Sequence, residues 1–90
     1  MAEMTEYTSV HALLEGVADD GSRKVFAEDF VISANHPDEV AVRMAKAPVG
    51  GWKLAPSGDA YLICELLSVT RSQRNVIGGS YNPRTIYEKD

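Results

Sequence analysis

The chain reads as a small α+β fold: two helices on one face of a three- to four-stranded, mainly antiparallel sheet, in the order α-β-α-β-β with a short closing strand. Three observations carry that expectation. Val10, Leu13, Leu14 and Val17 make an apolar stripe at helical spacing, Arg23 to Ala34 alternates in the manner of a strand, and His36-Pro37-Asp38-Glu39 has the chemistry of a helix start. At 90 residues the chain has material for one hydrophobic core and not for two. Residues 1–90 are therefore expected to form a single domain, with 1–6 frayed and 71–90 rich in loops.

The first helix is expected from about Thr8 to Asp19, with Thr8 as its cap, Tyr7 packing back as a staple and Gly21 as its stop. One feature sits badly with it. Asp19 and Asp20 would lie at the negative end of the helix dipole, an unfavourable place for carboxylates.

In the strand that follows, Phe26, Phe30 and Ile32 share one face, and Val25, Ala27 and Val31 the other. Glu28 and Asp29 interrupt both faces, which points to a bulge, an edge position or a break. The second helix begins after Asn35 as cap and Pro37 in the first turn, with Asp38 and Glu39 favoured by the helix dipole. It runs to about Ala47, where Pro48 and Gly50-Gly51 end it. Its apolar face of Val40, Ala41, Met44, Ala45 and Ala47 is thin, which suits close packing on a sheet.

Trp52 to Ala55 and Ala60 to Thr70 flank Pro56-Ser57-Gly58-Asp59, a turn sequence in which proline presets φ and glycine accepts a positive one. A hairpin is the preferred reading. The competing reading makes Asp59 a cap and Leu62, Ile63, Leu66 and Leu67 a helical face. Beyond Arg71, Ser72 to Asn75 reads as loop, Gly78-Gly79-Ser80 as a break, Asn82-Pro83 as a turn and Thr85-Ile86-Tyr87 as the closing strand.

Composition narrows the function classes. The hydrophobic fraction of 44% and the charged fraction of 24% are those of an ordinary globular chain. Cys64 is the only cysteine, so neither an internal disulfide nor a cysteine-based zinc site can form, and a reducing compartment, the cytoplasm, is expected. Glu3 and Glu6 stand where a secretory signal would carry lysines, and no apolar run is long enough for a membrane helix. No membrane association is expected. The net charge of −4 argues against a general nucleic-acid coat. The acids nonetheless crowd the first 40 residues while most of the basic side chains follow, which leaves room for a local anion site.

No catalytic constellation is legible. Cys64 lies in the apolar stretch Tyr61-Leu62-Ile63-Cys64 and is expected to be buried and unreactive, away from His11 and His36. Glu28 and Asp29 would point to opposite faces of a strand and cannot work as a pair. Two separated histidines form no metal cluster, and Asp19-Asp20-Gly21 lacks the alternating oxygens of a calcium loop. The expectation is a non-enzymatic protein with no catalytic residue, cofactor or metal: a small acidic interaction module, inhibitor or adaptor, with a protein partner and a tendency to form a homodimer. Its binding candidates are Trp52, Arg71, Arg74, Tyr81, Arg84 and Tyr87, the residue types that dominate interface hot spots. The alternative is a nucleotide or nucleic-acid binder in which Arg71, Arg74 and Arg84 supply charge and Gly78, Gly79 and Ser80 present backbone amides to a phosphate.

Overall fold

The computed structural model describes residues 6–74 and 79–90. Five strands and one helix follow in the order β1 (Tyr7–Val17), β2 (Arg23–Ser33), α1 (Asp38–Ala45), β3 (Trp52–Leu54), β4 (Ala60–Arg74) and β5 (Ser80–Glu88). All pairings are antiparallel. The sheet runs β2-β1-β4, and β3 and β5 share the far edge of β4, the first along Ala60–Leu62 and the second along Ser68–Arg74. The chain passes from β2 through α1 to β3, and α1 rests on one face of the sheet against β4 and β5.

The expected order with two helices is overturned, because Tyr7–Val17 is a strand. Along β1 the buried residues are Thr8, Val10, Ala12, Leu14 and Gly16, a strict alternation. The apparent helical stripe arises because Leu13 and Val17, on the opposite face, are also apolar and partly covered. Apolar residues on both faces of a strand mimic a period near 3.6 when the true inward set includes a threonine, an alanine and a glycine. Gly16 is required there: a Cβ would stand 2.9 Å from the Tyr61 Cβ and 3.1 Å from the Phe26 ring.

The awkward placement of Asp19 and Asp20 disappears with the helix. Both belong to the β1–β2 hairpin turn, where the Ala18 amide donates to the Ser22 carbonyl at 2.8 Å and the Gly21 amide to the Ala18 carbonyl at 2.9 Å. Gly21 takes φ +88°, the left-handed conformation that an Asp-Gly turn favours. The Asp20 carboxyl is held below the usual carboxylate range, first by the Ser22 side chain and then by the Ser22 amide, which donates to it at 2.8 Å.

Among the described residues β2 pairs with β1 alone, which makes it an edge strand, uninterrupted over Arg23–Ser33. Glu28 and Asp29 point to opposite faces as expected, Glu28 to Lys53 on the α1 side and Asp29 to His11 on the other. α1 begins one turn after β2 with Pro37 as cap and without a side-chain capping bond, so Asn35 does not cap it. Its buried residues are Ala41 and Ala45. The hairpin of β3 and β4 closes through Pro56-Ser57-Gly58-Asp59, with the Ala55 amide on the Asp59 carbonyl at 2.9 Å and Gly58 at φ +92°.

β4 also explains the competing helical reading of residues 60–70. Two irregularities against β1 insert extra residues into β4, so the fully inward side chains are Ile63, Leu66 and Val69, three apart rather than two. A bulged strand has the apolar spacing of a helix turn. Beyond residue 70 the described residues are mostly strand rather than loop: β4 continues to Arg74, and β5 spans Ser80–Glu88. The expected fraying of 1–6 falls almost wholly outside the described residues.

The core lies between α1 and the sheet, built from Val10, Leu14, Phe26, Ile63, Leu66 and Val69 with Ala41 and Ala45 of the helix. At its far end Phe26 and Tyr61 meet edge to face with ring centroids 5.6 Å apart. No helix among the described residues is long and apolar enough to cross a membrane.

Candidate functional site

At the other end of that face the sheet becomes polar. β1 enters with Thr8, β4 leaves with Arg71, and β5 runs beside it with Arg84 directly opposite Arg71. The first residue of α1, Asp38, faces both arginines. Arg71 is 6% exposed, and each of its nitrogens has a partner: Nε donates to Thr8 Oγ1 at 2.9 Å, Nη1 to Asp38 Oδ1 at 2.9 Å and Nη2 to the Ser33 carbonyl at 3.3 Å. Burial of a guanidinium is tolerable only with this degree of pairing.

Arg84 approaches the same carboxylate from the solvent side, with Nη1 2.9 Å from Oδ2 and Nη2 3.0 Å from Oδ1. This is a bidentate fork, the geometry for which guanidinium is suited. The Asp38 carboxyl is held below the usual carboxylate range, first by the Arg84 hydrogen bonds and then by Arg71, against an opposing effect of burial. The same contact raises the Arg84 pKa. Asp38 is thus anionic across the neutral range and ties α1 to two strands at once.

These groups floor an open-sided groove of about 640 Å³ between the end of β2, the start of α1 and the adjoining ends of β1, β4 and β5. Tyr7, Tyr81, Pro37, Pro83 and Arg74 line its walls. A local irregularity in β5 decides which side chains reach it. Tyr81 and Arg84 are three positions apart, while their partners Gln73 and Arg71 are two apart, so Asn82-Pro83 contains an extra residue. Asn82 accordingly takes φ 52°, and its amide donates to Gln73 Oε1 at 3.2 Å. The bulge turns Tyr81 and Arg84 to the same side, which regular alternation would prevent. The expected Asn82-Pro83 turn is therefore a bulge within a strand.

Of the sequence candidates, Arg71, Arg74, Tyr81 and Arg84 converge on the groove. Trp52 and Tyr87 do not. Trp52 stands in β3 opposite Leu62, 62% exposed. Tyr87 packs against the core with the Lys46 ammonium 5.4 Å from its ring centroid. For the phosphate alternative, Gly78 lies outside the described residues, and Ser80 donates its hydroxyl to Ser9 Oγ at 3.2 Å. Sequence reasoning missed Asp38, Thr8 and Tyr7 as groove residues. Asp38 was legible as a first-turn acid, but nothing in its local sequence names two arginines more than 30 positions away as its partners.

Cys64 corrects another expectation. It is exposed, with Sγ 3.3 Å from the Glu15 carbonyl, because it falls at one of the irregular positions of β4. His36 is exposed on the groove rim, and His11 meets Asp29 at 2.7 Å on the far face of the sheet. Among the described residues, no three His, Cys, Asp or Glu side chains gather where they could hold a metal ion. Comparison of the chain with protein-family models, curated proteins and solved structures gave no match.

Proposed function

We propose that this chain is a small, non-catalytic binding module of the cytoplasm that engages a protein partner through the Arg71–Asp38–Arg84 groove, as a stoichiometric inhibitor or adaptor, and that it self-associates. The observation that carries the reading is the mutual satisfaction of the groove floor. Arg71 and Arg84 are both committed to one carboxylate, so the floor is rigid and preorganised. The walls add two tyrosines, two prolines and the exposed Arg74. Tyrosine and arginine around a fixed concavity are the anchors of protein interfaces. Self-association is supported by a thin core, in which Ala12, Ala41, Ala45 and Ala55 are among the few buried apolar residues.

The nucleotide reading has less support, because a phosphate would have to displace Asp38 from both arginines. Capture from host lysate, run in parallel with the wild-type chain and Tyr81→Ala, tests the proposal. A partner recovered at one-to-one stoichiometry should lose about thirtyfold in affinity with Tyr81→Ala, the scale of a hot-spot residue. That binding should change little with added salt. Binding that falls steeply with salt and is reproduced by a nucleotide alone would replace this reading with the phosphate one.

A further inference from the structure

Glu28 and Asp29 put a charge on each face of an otherwise apolar stretch of β2, and Arg23-Lys24 does the same at its start. The groove uses none of these four side chains. Among the described residues the strand that carries them has one open edge. Hydrogen bonds at the two ends of the β1–β2 ladder fix which backbone groups face that edge. The Ala18 amide donates to the Ser22 carbonyl and the Ala34 amide to the Glu6 carbonyl, so even-numbered residues of β2 turn their backbone groups toward β1. The amides and carbonyls of Arg23, Val25, Ala27, Asp29 and Val31 therefore point outward. No proline, glycine or bulge blunts the edge over Arg23–Ser33, which leaves charge to decide what can pair with it.

We infer that β2 pairs with β2 of a second copy of the chain, antiparallel about a two-fold axis at Phe26, so that the two five-stranded sheets join edge to edge with both α1 helices on the same face. The charge pattern selects this occupant and this register. With Phe26 opposite Phe26, Val25 meets Ala27, Lys24 meets Glu28 and Arg23 meets Asp29, and each of these contacts occurs twice across the axis. The Val25–Ala27 and Arg23–Asp29 positions then exchange the outward backbone hydrogen bonds. An axis at Glu28 or at Asp29 would set that carboxylate against its own copy, and an axis at Ala27 would place Glu28 against Phe26 and Asp29 against Val25. The second copy also supplies the charges that one chain lacks. Among the described residues Lys24 has no carboxylate partner, only the Phe26 ring with its centroid 5.8 Å from the ammonium. Asp29 is 72% exposed and meets His11 alone, a side chain counted neutral at pH 7. Glu28 bonds Lys53 through Oε1, which leaves Oε2 for Lys24 of the other copy, and Arg23 bonds Glu15 through Nη1 with its other donors open.

This inference rests on the self-association part of the proposed function and is independent of the groove. Size-exclusion chromatography with light scattering tests it on the full chain. The wild type should run at twice the single-chain mass at high micromolar concentration, and Tyr81→Ala should match it. Ala27→Pro removes an amide that points out of the sheet, so it should abolish the dimer while the far-ultraviolet circular dichroism is retained. Arg23→Asp and Asp29→Arg, both at exposed positions, should each weaken self-association by about tenfold or more, because each sets like charges opposite one another twice. An equimolar mixture of those two variants should restore a dimer of near wild-type affinity, since every charge then meets its opposite. A wild type that keeps single-chain mass overturns self-association and the edge together. A dimer that Ala27→Pro leaves intact overturns the edge alone. Failure of the mixture to recover what the two charge variants lose overturns the register. Should Ala27→Pro lose its secondary structure, the charge variants decide: dimers as tight as the wild type in both overturn the inference.

Discussion

On the α1 side of the sheet, Val10, Leu14, Ile63 and Val69 are almost completely removed from water, while on the opposite side Val25, Val31 and Leu54 stay substantially exposed. Both sets are aliphatic, and both lie on the same strands or on neighbouring ones. What separates them is cover. α1 has eight residues and is about 12 Å long, so it shields only part of one face; elsewhere on that face Phe26, Tyr61 and the ionic cluster close the surface. Hydrophobicity thus marks which residues can be buried, and the path of the β2–β3 connection decides which face is.

The contrast can be broken most severely from the covered side. Leu14→Ala should cost about 2–5 kcal/mol, because the side chain is enclosed and the surrounding strands cannot collapse into the void. Urea denaturation measures it, and a loss below about 1 kcal/mol would mean the covered face is not the core. Asp38→Asn comes next, at about 2 kcal/mol, since Arg71 loses its counter-charge while buried. The figure lies below that of a fully enclosed pair because 41% of the Asp38 side chain remains in water.

The same carboxylate gives the polar end of the covered face a pH signature. A folded-state pKa held below the usual range stabilises the fold above the unfolded-state value, and that contribution is lost as pH falls through the lowered pKa. The stability gap between wild type and Asp38→Asn should therefore be full at neutral pH and narrow below about pH 4. Denaturation midpoints at both pH values check it; a gap that widens in acid would contradict the geometry. The smallest effect belongs to the open face. At concentrations where the chain is single, Leu54→Ser should shift stability by no more than about 0.5 kcal/mol, in keeping with its exposure.

The legible parts of the fold are those governed by neighbours in sequence. β2, α1 and the Pro56–Asp59 hairpin stand where alternation, first-turn acids and turn chemistry put them. β1 was misread because its two faces alias to a helical period, although Asp20-Gly21 is a hairpin signal, and the ill-placed acids were a second warning. In the groove, arginine and tyrosine at positions 71, 74, 81 and 84 could be singled out by residue type. Their convergence could not, because it depends on a bulge at Asn82-Pro83 and on a helix that delivers Asp38 across the sheet.

The amino-acid order by itself determined the single thiol, the acidic balance, the helix after Pro37 and the Pro56–Asp59 turn, since each depends on residues a few positions apart or on composition alone. Tertiary structure decided that Tyr7–Val17 is a strand, that Arg71 is buried against Asp38, that Cys64 is exposed and that Val25, Val31 and Leu54, on the face opposite α1, stay in contact with water. Those outcomes rest on strand register and on contacts between residues distant in the chain, where a one-residue insertion exchanges inside for outside.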